Sequence, residues 1–149
     1  MLPIRQIKQS RGRTATKEDL EFEIKFFEGI AHHDPDYIEA LQILGDAYTK
    51  TGQWEKGLKI DKQLAKLCPD NALVFYNLAC SHSLLKHPDE AFAALQQAIQ
   101  LGYDDVRWFT RDPDLDNLRQ DHRYQTIRAD LARKFKTPLR SSDSSAAAE

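Results

Sequence analysis

The chain resembles itself at an interval of 34 residues. Leu44 and Leu78 are that far apart, and so are Leu41 and Phe75, Tyr48 and His82, Gly57 and Ala91, and Pro35 and Pro69. Tyr103 lies a further 34 beyond Pro69. A period of this length makes each unit a supersecondary element that cannot bury its own apolar face. Units must therefore stack, and the fold is quasi-linear.

Within the period, apolar residues recur at three and four, which is the spacing of amphipathic helices. Leu20, Ile24, Phe27 and Ala31 form the first stripe, with Phe26 and Ile30 beside it. Thr16 is placed to cap that helix, with Asp19 three positions on, in a capping-box arrangement. A second helix carries Ile38, Leu41, Leu44, Ala47 and Tyr48 and stops at Gly52. A third runs from about Trp54 to Pro69, a fourth from Leu73 to before Pro88, and a fifth through Ala91 to Gly102. Short connections make this an antiparallel helix-turn-helix series.

These residues resemble the tetratricopeptide repeat family. Leu41, Leu44, Gly45, Tyr48, Gly57 and Pro69 fall on its pattern in one unit, and Phe75, Leu78, Ala79, Ala91 and Leu95 in the next. The resemblance implies an all-α, right-handed α-solenoid. Small residues at Gly45, Gly57, Ala79 and Ala91 would let paired helices approach closely. Asp61 departs from the pattern, where a large apolar residue is expected, with Ile60 placed to take over its contact. His82 and Tyr103 replace the usual tyrosine and closing proline. The segment from Gly102 to Arg119 resembles the closing segment of bacterial family members, a short helix, an Asp-Pro turn and a C-terminal capping helix.

The implied organisation is a flexible basic arm at 1–15 and a repeat domain at 16–136. That domain divides into a half repeat at 16–34, full repeats at 36–69 and 70–103, and a cap at 104–136. A disordered tail follows at 137–149. The arm has Arg5, Lys8, Arg11, Arg13 and Lys17 without an acid, although the whole chain has a formal charge of −2. It carries no aromatic residue to stack bases, so a solvated arm is preferred to nucleic-acid binding, and to the mitochondrial transit peptide it loosely fits. No apolar run is long enough to span a bilayer. Two cysteines, Cys68 and Cys80, make no disulfide framework, and a reducing, cytoplasmic location is expected.

No catalytic residue, metal ligand set or cofactor site is expected. His32, His33 and Asp34 are sequence neighbours and diverge around a helix, so they read as a polar helix end. His82 reads as a core histidine, and His87 and His122 as solvated ends. Asp112, Asp114 and Asp116 alternate as in a calcium loop, but the glycine and the closing glutamate of such a loop are absent.

The chemistry is expected on a surface instead. The resemblance implies that the first helix of each pair lines a concave, peptide-binding groove. Its candidates are Glu39, Gln42, Asp46 and Thr49, then Leu73, Tyr76, Asn77, Cys80 and Ser83, and from the cap Arg107 and Arg111. Some family members clamp the C-terminal carboxylate of heat-shock chaperones. Asn77, Arg107 and Arg111 fall in register with three of the five clamp positions. Gln42 and Asp46 occupy the other two, where Asp46 would repel a carboxylate. The expected role is a non-enzymatic scaffold for a protein or peptide partner. The alternative is homo-oligomerisation through the first helix, by Phe22, Phe26, Phe27 and Ile30.

Overall fold

A computed structural model describes residues 14–135. The expected arm and tail lie almost wholly outside these. Seven α-helices and one 3₁₀ turn follow in order among the described residues. They are α1 (Lys17–His33), α2 (Ile38–Lys50), α3 (Trp54–Leu67), α4 (Ala72–Leu84), α5 (Pro88–Gln100), α6 (Val106–Arg111), the turn Pro113–Leu118, and α7 (His122–Lys134). Each helix packs on its neighbour in sequence from α1 through α5.

Local chemistry sets the boundaries. At the start of α1, the Thr16 hydroxyl accepts from the Asp19 amide, and the Asp19 carboxylate accepts from the Thr16 amide. Two orphan donors of the helix end are thereby satisfied. Asn71 caps α4 through the amides of Leu73 and Val74.

Three helices of the stack end alike. Gly52 donates to Thr49 and Gln53 to Tyr48, Lys86 to Ser83 and His87 to His82, and Gly102 to Ile99 and Tyr103 to Ala98. All three turns need a left-handed residue, with φ of 76° at Gly52, 59° at Lys86 and 103° at Gly102. Only at Lys86 does a Cβ stand in that conformation.

The close approach inside the first full unit is built on two glycines. A Cβ on Gly45 would meet Ile60 Cγ2 at 3.2 Å and Asp61 Oδ1 at 3.4 Å, and one on Gly57 would meet the Gly45 carbonyl oxygen at 3.7 Å. The departure at Asp61 thus has a physical account. Ile60 packs into the adjoining apolar clusters, and buried Asp61 accepts a 2.5 Å hydrogen bond from Ser81 of the next unit. A polar bond replaces an apolar contact between units.

The period continues further than the sequence alone indicates. α4 spans 72–84 and α5 spans 88–100, while α6 with the 3₁₀ turn spans 106–118 and α7 spans 122–134. The closing segment is a third unit in register, with its first helix broken. Pro113 causes the break, since it lacks an amide hydrogen and keeps the preceding residue out of the helical region. Asp112 is accordingly extended, with φ −65° and ψ 113°. Contacts across the stack repeat at the same interval, as Asn117 donates to the Ser83 carbonyl and Arg123 pairs with Asp89.

Replacing Lys86 with glycine removes the left-handed strain but adds chain entropy in the unfolded state. The expected net result is a gain of about 0.5–1 kcal/mol, read from urea denaturation.

Candidate functional site

The break at Pro113 decides which part of the concave surface remains open. After α6 the chain folds the 3₁₀ turn across the face of α4. Leu115 and Leu118 become fully buried there, in one cluster with Tyr76 and Cys80. The Tyr76 hydroxyl donates to Asp112 at 2.7 Å, and the Cys80 thiol to the same carboxylate oxygen at 3.6 Å. Asp112 also caps the turn by accepting from the Asp114 amide. The Tyr76 ring stacks on Tyr103 with centroids 4.3 Å apart and planes within 6°. Tyr103 stands where a closing proline was expected, and it fills the corner as an aromatic. Burial, then the nearby Cys80 thiol, Tyr103 and Asp112, hold the Tyr76 hydroxyl far above the ordinary phenol pKa.

The expected groove residues are therefore divided. Tyr76, Cys80 and Ser83 are buried beneath the cap and are closed to a partner. Ser83 Oγ has no hydrogen-bond partner among the described residues. Leu73 packs against the same cluster. Gln42 is also buried. Thr49 turns toward α3, its hydroxyl donating to Gly45 and lying 3.4 Å from a Cβ built on Gly57. Glu39, Arg107 and Arg111 are exposed, and Asp46 and Asn77 are half-buried. Asp46 pairs with Lys50 at 3.2 Å, a cation the sequence reading missed. The i, i+4 spacing of the two residues on α2 was the available signal.

Arg107 and Arg111 share one face of α6, where Arg111 Nε donates to the Arg107 carbonyl. The neighbouring acids are engaged elsewhere, as Asp105 caps the Trp108 amide and Asp112 faces Tyr76. Arg119 holds the broken corner together, donating to the carbonyls of Thr110 and Asp112 and to the Tyr124 hydroxyl.

The remaining clusters resolve as follows. His32 and His33 are exposed at the end of α1. His122 is exposed at the start of α7. His87 departs from the solvated end expected of it, because its Nδ1 lies 3.3 Å from Nδ1 of buried His82. One of these nitrogens must donate and the other accept, so at least one ring is neutral. Burial, then His87 and Lys62, lower the His82 pKa. Cys80, Asp112 and Asp114 place three ligand-type atoms within 4.8 Å of one another. The bonds from Tyr76 and Cys80 to Asp112, and its cap on Asp114, account for that arrangement without an ion. On the opposite side, an open cleft of about 330 Å³ lies between α1 and α3, floored by Leu41, Tyr48 and Ile60 and rimmed by Lys56 and Lys59.

Phe22 and Phe26 on α1 are 72% and 54% exposed. Phe27, grouped with them in the sequence reading, instead turns inward against Leu44, Ala47 and Tyr48.

This arrangement of helix pairs matches solved structures. The crystal structure of MamA aligns over 91% of this chain and 74% of its own, with a TM-score of 0.65 and 20% identity. MamA is itself a tetratricopeptide-repeat protein. The chain has the tetratricopeptide-repeat fold. Curated relatives share parts of this tetratricopeptide region. A chloroplastic protein of Arabidopsis thaliana is 31% identical over 100 residues, which is 65% of this chain and 28% of that protein. The peroxisomal targeting signal receptor of Komagataella phaffii is 28% identical over 92 residues, 60% of this chain and 16% of the receptor. This chain thus spans under a third of either relative. No family model matches it. No described helix is long and apolar enough to cross a membrane.

Two outcomes are expected. Asp112→Ala leaves the Tyr76 hydroxyl without its acceptor and uncaps the turn, costing about 2–4 kcal/mol in urea denaturation, with Asp112→Asn recovering part of it. His82 has a lowered pKa when folded, so the unfolded chain binds the proton more tightly. Its contribution to stability is present above the ordinary histidine range and is lost as the pH falls through it. The melting temperature of His82→Phe should therefore fall less between pH 7 and pH 5, about one unit either side of that range, than that of the wild type.

Proposed function

We propose that the chain is a non-enzymatic scaffold that binds a protein or peptide along its concave face. The observation that carries this reading is the position of the cap. It closes the face of α4 but leaves Glu39, Asp46, Lys50, Asn77, Arg107 and Arg111 accessible. The pairing of Asp46 with Lys50 offsets the repulsion that Asp46 alone would exert on an acidic ligand. At the cap end, Arg107 and Arg111 present two cations without an ion pair among the described residues. An extended segment bearing an acidic side chain or a C-terminal carboxylate fits that end. The peroxisomal receptor among the relatives is named for a protein-borne signal, in keeping with a peptide ligand.

A second reading, self-association through α1, is favoured by the exposure of Phe22 and Phe26.

The scaffold reading is tested with an array of acidic, basic and neutral peptides, followed by fluorescence anisotropy. Acidic peptides should bind in the micromolar range. The pair Arg107→Glu and Arg111→Glu should weaken them at least about tenfold, or roughly 1.4 kcal/mol, without moving the melting temperature. Equal binding by the charge-reversed protein would refute the assignment of that end.

A further inference from the structure

We propose that α1 pairs with α1 of a second copy, antiparallel, about a twofold axis beside Lys25. This rests on the second reading above and gives it a geometry. The outward residues of α1 are Asp19, Phe22, Phe26, Gly29 and His33, spaced three, four, three and four. That is the seam of a helix pair. Phe22 and Phe26 are stacked side by side on it, with centroids 6.2 Å apart. A Cβ built on Gly29 would meet nothing within 4 Å, so the seam is flat beyond the aromatics. The inner side of the same helix is already committed, since Leu20, Ile24, Phe27 and Ala31 pack on α2.

Charge selects the occupant and the direction. The first turn of α1 carries Glu18 and Asp19 and its last turn carries His32 and His33. The two ends of the helix are therefore complementary to each other, and an antiparallel copy of α1 brings them together. The helix dipoles then run in opposite directions as well. In this register Phe22 of each copy packs on Phe26 of the other, Glu18 lies alongside the second copy's His32, and Lys25 reaches the second copy's Glu21. The flat surface at Gly29 admits the second copy's first turn. A twofold contact of this kind closes on itself, which limits assembly to a dimer.

A single helix pair gives a small interface, below about 1,200 Å², so the dimer should form in the micromolar range. Sedimentation of the full chain up to about 100 μM tests this. The wild type should dimerise, and Phe22→Glu with Phe26→Glu should remain monomeric with an unchanged melting temperature. Single cysteines then test the direction, against a wild-type control for Cys68 and Cys80. Lys25→Cys, next to the axis, should form a disulfide dimer under mild oxidation, while Glu18→Cys, at the far end, should not. A wild type that stays monomeric throughout overturns both the pairing and the self-association reading. A dimer in which Glu18→Cys crosslinks as readily as Lys25→Cys overturns the antiparallel pairing alone.

Discussion

Each helix pair in this chain carries an apolar face that only the next pair can cover. That constraint shapes the molecule from one end to the other. In the middle it is met by stacking, with Gly45 and Gly57 letting α2 and α3 approach closely. At the C-terminal end no further pair follows among the described residues, and the chain covers the last face with its own broken unit. At α1 the constraint is met on the inner side only.

The C-terminal solution depends on one buried carboxylate. Asp112 is placed by the restriction that Pro113 imposes on it. From there it joins three elements: α4 through Tyr76 and Cys80, the 3₁₀ turn through its own cap, and α7 through Arg119 and Tyr124. A buried charge is tolerated only when such bonds surround it. The same residue therefore fixes both the stability of the cap and the extent of the open surface.

Much of the fold was legible because its signals are local. The capping box at Thr16 and the stops at Gly52, Pro69 and Gly102 depend on neighbours in sequence, and the helix boundaries follow them closely. The groove was less legible. Register alone placed Tyr76, Cys80 and Ser83 on an open face, and nothing local reveals that a segment over 30 residues later folds across them. The inward turn of Phe27 and the contact between His82 and His87 were hidden for the same reason, as each depends on packing between elements. Asp61 was recognised as a departure, but its partner Ser81 belongs to the following unit.

The uneven treatment of the two ends has a dynamic consequence. Ile24 is the only buried residue of α1, whereas α4 and α5 contribute many to one continuous cluster. In a stack where each layer touches only its neighbours, opening starts where the fewest contacts must be broken. Backbone amides of α1 should exchange with solvent first, and protection should rise toward the sealed end. The chain would then behave as a ratchet of layers, firm at one end and ready to peel at the other.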